Sequence, residues 1–241
     1  MVELFILFIV SFVAATISGV AGFGGAMILL PFLNYLVGIK SAVPILTIAQ
    51  LWGNLSRVFF GRNELQWKPI VFFLVTAIPS SILGSYLFVG TKTDYIKIGI
   101  GVFLILLVLY RRLNIKKITL GDKGMLLGGS ITGFLSGWAG SAGPLGAAFF
   151  LGLELAPAAY VASEAFTALS MHIVKIRVYH QYQLIGEKEF YYGIFMGIAM
   201  ILGSYVGKKI IEKINRQQFV RLVEMLLILA GIHMIYLAFL N

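Results

Sequence analysis

A glycine-rich break interrupts apolar sequence twice in this chain. The first copy reads Ser18-Gly19-Val20-Ala21-Gly22-Phe23-Gly24-Gly25, the second Ser136-Gly137-Trp138-Ala139-Gly140-Ser141-Ala142-Gly143. The offset is 118 residues, close to half of the 241-residue chain, and Ser, Gly, Ala, Gly and Gly recur in step. A second match, Ile82-Leu83-Gly84-Ser85-Tyr86 against Ile201-Leu202-Gly203-Ser204-Tyr205, falls at an offset of 119. Two matches at nearly one offset mark the chain as two related halves. The break also constrains the fold: an interrupted helix loses backbone hydrogen bonds, and apolar surroundings tolerate this only inside protein or beside a watery cavity.

The surroundings are apolar indeed. Hydrophobic residues make up 59% of the chain and charged ones 12%, with a mean hydropathy of +0.93. Soluble domains run at about 45–50% apolar and about 25% charged, so too few polar side chains remain to cover a wet surface. Long apolar runs recur at Leu4–Val20, Ile70–Val89, Ile96–Tyr110 and Phe190–Val206. A bilayer-spanning helix needs roughly 20 mostly apolar residues. The short alternating segments of a membrane barrel do not occur. The expected class is an all-α polytopic membrane protein. Leu4–Val13 could pass for a signal-peptide core, but Glu3 stands where a basic residue belongs, so it reads as a retained first helix.

Turn signals and charges divide the halves into segments at about 3–21, 25–38, 41–61, 68–90 and 94–111, then 121–138, 143–154, 157–182, 187–208 and 217–239. The second segment of each half is too short to cross a hydrocarbon core of about 30 Å. The expected architecture is therefore about eight full helices plus two short ones, each short helix following a glycine break. Domain boundaries fall at 1–112 for the first repeat, 113–120 for a basic linker and 121–241 for the second repeat, all within one membrane domain. Basic residues cluster in the linker region (Arg111, Arg112, Lys116, Lys117, Lys123), before the last segment (Lys208, Lys209, Lys213, Arg216, with Arg221 beyond) and at Arg62 and Lys68. If every segment crosses, these share one side, which the positive-inside rule makes cytoplasmic. Lys40, Lys92, Lys97 and Lys188 then lie opposite, both termini are outside and the repeats are inverted. If the short segments are re-entrant, the repeats are parallel instead; the charge pattern favours ten crossings, so two inverted repeats are expected. The net charge of +9 is read as these loops facing anionic lipid, with no nucleic-acid partner.

After each break a new helix starts, exposing N–H groups at the positive end of its dipole. Two such ends, from Gly22, Gly24 and Gly25 and from Gly140, Ser141 and Gly143, suit a small anion; close helix packing by small residues is the alternative reading. The helix after the second break carries Ser163, Glu164, Thr167, His172 and Lys175. At 100° per residue, Glu164, His172 and Lys175 lie within about 80° of one another. Ionisable groups in a membrane helix are costly and default to functional hypotheses. Lys175 would neutralise the anion, and Glu164 or His172 would carry a proton. Against this, Lys175 could pair with Glu164 or snorkel to the interface. The matching helix of the first half carries Thr47, Gln50, Asn54 and Arg57, and at the same offset Arg57 aligns with Lys175 and Asn54 with His172. Trp52, Trp67 and Tyr192 read as interfacial or packing residues. Glu154-Leu155-Ala156-Pro157 reads as a turn. Cysteine is absent, the three histidines form no metal set, and no Walker or HExxH motif occurs, so no cofactor, metal or enzymatic role is expected.

Gly19–Pro31, Gly133–Phe150 and Ala162–Lys175 resemble the sulfite exporter TauE/SafE family, and the resemblance covers essentially the whole chain. Gly140-Ser141-Ala142-Gly143-Pro144-Leu145-Gly146 and Ala162-Ser163-Glu164-Ala165, followed by Met171, His172 and Lys175, carry it most specifically. The chain departs at Ala142-Gly143-Pro144, where many members have a denser glycine run. The resemblance implies secondary transport of small anions, chiefly sulfite and organosulfonates, with the glycine clusters and central polar residues as the site. A passive anion channel and a membrane subunit that binds a partner protein are the alternatives.

Overall fold

The computed structural model of the chain describes residues 2–92, 121–153 and 155–210, with single positions between 94 and 106 and at 232 and 236. These residues form α1 (Val2–Ala21), α2 (Gly25–Val37), α3 (Ile39–Phe60), a 3-10 turn (Arg62–Glu64), α4 (Trp67–Gly90), α5 (Gly121–Trp138), α6 (Gly143–Leu151), α7 (Pro157–Gln181) and α8 (Glu187–Ile210), with no strand among them. Apart from those single positions, the expected segments at 94–111 and 217–239 lie outside the described residues. So do the linker 113–120 and Lys97, Arg111, Arg112, Lys116, Lys117, Glu154, Lys213, Arg216 and Arg221.

Both short helices fall where the glycine breaks put them. α2 has 13 residues and α6 has nine. At about 1.5 Å per residue they rise about 20 and 14 Å, well short of a hydrocarbon core. α6 ends three residues earlier than its apolar pattern predicts, because Gly152 follows Leu151 and glycine both disfavours the helix and supplies a stop. The breaks share a conformation: Gly22 has φ +78° and Gly140 has φ +79°. That left-handed region is open to glycine without strain.

Glycine also sets how closely the helices cross. Along α5, Gly129, Gly133 and Gly137 each face a carbonyl oxygen of α4, at Phe73, Ala77 and Ser81, with no room for a Cβ. Gly203 of α8 faces the Phe12 carbonyl of α1 in the same manner, and a Cβ on Gly207 would lie 2.6 Å from the Thr16 oxygen. The repeated Ile-Leu-Gly-Ser-Tyr motif thus does one job twice: Gly84 lets α4 onto α5, and Gly203 lets α8 onto α1. Small residues at such crossings let backbones approach where no hydrophobic force draws helices together.

The order of the contacts gives the helix directions. Numbers rise together along α4 and α5, along α1 and α8, and along α3 and α8, where Gly193 meets Ile48 and Gly197 meets Trp52. α4 and α7 also run parallel, with ring centroids 5.3 Å apart at Trp67–Phe166 and 5.5 Å at Phe88–Tyr179. α3 and α7 are antiparallel: Arg57 lies near Glu164 at one end, while Val43 and Lys175 meet across Gly140 at the other. Hence α1, α3 and α8 run one way and α4, α5 and α7 the other.

α4 and α8 are each long and apolar enough to cross a bilayer alone. α3 and α7 turn a polar stripe inward, while outer faces carry Phe5, Val75, Leu83 and Ile198 exposed. Such faces belong against lipid. Lys40 has a more specific place than a loop charge: Nζ donates to the Phe88 and Val89 carbonyls at 2.7 and 2.9 Å, capping α4. At the opposite end Lys68 pairs with Asp122 at 3.2 Å, and Lys208 sits 5.6 Å from the Phe60 ring.

Gly133→Leu forces α5 off the Ala77 carbonyl, an overpacking that costs about 1–3 kcal/mol. The expected outcome is a lower melting temperature in detergent. Gly90→Ala, with nothing within 4 Å of its Cβ, leaves the melt essentially unchanged.

Candidate functional site

Each glycine break leaves helix carbonyls without intrahelical donors, and a cation from the third helix of that half supplies one. Arg57 of α3 donates from Nη1 to the Gly22 carbonyl at 3.2 Å and to the Ser18 carbonyl at 3.5 Å. Its Nη2 donates to Asn54 Oδ1. Lys175 of α7 donates to the Gly140 carbonyl at 2.8 Å and to Ser136 Oγ at 3.3 Å, and lies 3.4 Å from His172 Nδ1. The 118-residue offset carries each of these partners onto its counterpart. Neither cation snorkels: Arg57 is 7% exposed and Lys175 fully buried.

Between the breaks lies a small cavity of about 40 Å³, room for about three waters. Gly22, Gly24, Gly25, Gln50, Asn54, Arg57, Ser141, Gly143, Glu164, Thr167 and His172 line it, so most of the residues singled out by sequence converge there. Four buried polar atoms on residues that line it have no hydrogen-bond partner among the described residues: Gln50 Nε2, Arg57 Nε, Thr132 Oγ1 and Glu164 Oε2. Three of these can donate. Glu164 Oε2 lies 4.0 Å from Arg57 Nη1, an ion pair without a hydrogen bond. Buried donors without partners are costly, and an acceptor-rich guest in the cavity would satisfy them.

Thr47, Gly140, Ser163 and Lys175 do not line the cavity. Thr47 Oγ1 turns back to the Val43 carbonyl at 2.7 Å. Ser163 Oγ accepts the Gln66 N–H at 3.0 Å, holding the start of α4. Gly140 and Lys175 bond each other. Two of the expected backbone donors are also engaged: the Gly22 N–H bonds the Ser18 carbonyl and the Gly25 N–H bonds Ser18 Oγ, both at 2.8 Å. Trp52 packs on Gly197, and Trp67 stands edge-on to Phe166. The sequence reading passed over Thr132, Ser18 and Ser136. The two serines open the repeated break, so the repeat itself signalled them; Thr132 precedes the second copy and has no polar counterpart at Ala14.

Apolar outer faces, glycine-packed crossings and broken helices around a buried charged cavity are the features of a helical membrane protein. The family model described as sulfite exporter TauE/SafE matches residues 7–234, and the chain belongs to that family, whose members are membrane transporters rather than enzymes. Comparison with curated proteins and with solved structures gives no match.

Lys175→Met keeps length but strips the donors from the Gly140 carbonyl and Ser136. Leaving a buried acceptor unpaired costs about 1–3 kcal/mol. The expected outcome is a lower melting temperature in detergent, measured without any ligand.

Proposed function

We propose that this protein is a secondary transporter, most simply an exporter, of small sulfur oxyanions such as sulfite or organosulfonates. The observation that carries the reading is the convergence of Gln50 Nε2, Arg57 Nε and Thr132 Oγ1, all unpartnered, on one cavity between two helix breaks. A sulfur oxyanion offers several acceptor oxygens to such donors. Arg57 supplies the compensating charge, because its fork keeps a donor beyond those that cap α1. Lys175 holds the second break closed in this conformation. Asn54, Ser141 and Thr167 orient oxygens, and Glu164 or His172 carries a coupling proton.

The two halves are read as inverted repeats. In support, α1, α3 and α4 run opposite to their sequence equivalents α5, α7 and α8. Inverted repeats around a midplane site suit alternating access, in which one half rocks against the other. The end that gathers Lys68, Lys208 and Lys209 is assigned to the cytoplasm by the positive-inside rule.

In proteoliposomes, Gln50→Ala should raise the KM for sulfite about tenfold, the loss of one hydrogen bond to a charged group. Arg57→Lys should abolish flux, since an ammonium at this position would spend its three donors on Gly22, Ser18 and Asn54, as Lys175 does on their counterparts, and keep none for the guest. Unchanged sulfite flux in both variants would overturn the assignment of this cavity.

A further inference from the structure

The two ends of the bundle use matching positions and fill them differently. At one end Tyr179 of α7 is fully buried. Its hydroxyl donates to the Gly137 carbonyl at 3.0 Å, one turn beyond the Lys175 cap, and its ring centroid lies 5.5 Å from that of Phe88. Lys40 Nζ stands over the Phe88 ring in turn, 4.8 Å from the centroid. These three side chains tie the ends of α3, α4, α5 and α7 together beside the second glycine break.

The repeat offsets carry them onto residues with almost no side chain. At 118 residues Tyr179 answers to Gly61 and Lys40 to Ala158; at 119 Phe88 answers to Gly207. At this other end lies a cavity of about 440 Å³. Gly61 and Ala158 line it, together with Arg57, the counterpart of Lys175. Gly207 packs on Gly19, which lines it as well. Ala158 and Lys208 on its wall are exposed, so it opens at the end assigned to the cytoplasm. Val161 on the same wall is half-buried, whereas its counterpart Val43 is wholly buried against Gly140. Protein interiors rarely leave voids much larger than a water molecule. A cavity of this size, where the matching positions are filled, is an opening.

We propose that Tyr179, Phe88 and Lys40 form the outer gate of the transport pathway, shut in this conformation, and that the cleft at Gly61 and Ala158 is its cytoplasmic entrance. The proposal rests on the reading of the protein as an alternating-access transporter. When inverted halves rock about a central site they exchange environments, so Val43 becomes accessible as Val161 is covered. The outer end opens only if Tyr179 leaves Gly137 and Phe88. One hydrogen bond and two ring contacts therefore latch the gate. The latch favours the conformation open to the cytoplasm, the side from which an exporter loads.

The chain contains no cysteine, so a single introduced thiol reports access without background. Val43→Cys and Val161→Cys are each labelled with a membrane-impermeant thiol reagent in vesicles of either orientation. Val161→Cys should react readily from the cytoplasmic face, and Val43→Cys slowly from the outer face. Tyr179→Phe keeps the ring and removes the bond to Gly137. It should speed outer labelling of Val43→Cys about fivefold, as the loss of one hydrogen bond does, without speeding labelling of Val161→Cys. Tyr179→Ala removes the ring too; it should speed Val43→Cys further and slow Val161→Cys. Where Tyr179→Ala fails to fold, Tyr179→Phe decides. Faster labelling at both cysteines in Tyr179→Phe, or no change at Val43→Cys in either variant, overturns the gate and leaves the transport reading to the sulfite flux. Faster labelling of Val43→Cys in Tyr179→Ala with no slowing of Val161→Cys keeps the gate and overturns alternating access.

Discussion

A helix that stops inside apolar protein must find donors for its last carbonyls, and this chain meets that constraint twice with one device. Thirty-five residues after each left-handed glycine, a cation on the third helix of the same half reaches back to that glycine's carbonyl. The pairing satisfies both members. The carbonyl end of a helix carries partial negative charge, and a buried cation without a partner is more costly than almost any other group. α3 and α7 are thereby anchored to the ends of α1 and α5. The glycines at the α4–α5 and α1–α8 crossings hold those same broken helices from the outer side. The cavity is what remains between the two anchored ends.

The two devices are equivalent in position and unequal in chemistry. Lysine has three donors, and Lys175 has three acceptors within 3.4 Å: Gly140 O, Ser136 Oγ and His172 Nδ1. Arginine has five donors in a rigid fork. Arg57 caps Gly22, binds Asn54 and still presents Nε. Arginine in place of lysine at one of two matched positions thus gives a cap that keeps a donor to spare. The neighbours differ accordingly: His172 turns to Lys175, whereas Asn54 gives its oxygen to Arg57.

Much of this was legible in the sequence, for identifiable reasons. Glycine clusters inside apolar runs have few physical meanings, and their repetition at one offset located both breaks and both short helices. Helical periodicity put Gln50, Asn54, Arg57, Glu164, Thr167 and His172 on inward stripes, and the cavity collects all six. What periodicity cannot reveal is which donors are already used. Lys175 and Arg57 look alike along their helices, and both reach a glycine carbonyl; the unbonded Nε of Arg57 and its place on the cavity wall separate them. Ser163 illustrates the same limit: it lies on the stripe of Glu164 but serves the start of α4, an element 97 residues earlier in the chain. For the helix directions the charge pattern offered only an indirect guide, inverted repeats against parallel ones, because they follow from which glycine meets which carbonyl across the bundle.

Charge balance sharpens the transport reading. Among the described residues the charged groups of the inner cavity are the Arg57 guanidinium and the Glu164 carboxylate, 4.0 Å apart, a pair that is neutral overall. An oxyanion entering such a site adds negative charge within a low-dielectric enclosure, where like charges repel far more strongly than in water. It also competes with Glu164 for the same guanidinium. On this reading a guest is accommodated only if Glu164 withdraws or takes up a proton. Withdrawal is obstructed, since Glu164 is 4% exposed on a helix pinned at Ser163 and Lys175. A proton is the smaller change, and it would convert Glu164 from a competitor for the anion into a donor to it. On the proposed transport reading, the carboxylate beside Arg57 would be the residue at which anion entry and proton uptake are linked, while His172, on the same cavity wall, is turned toward Lys175.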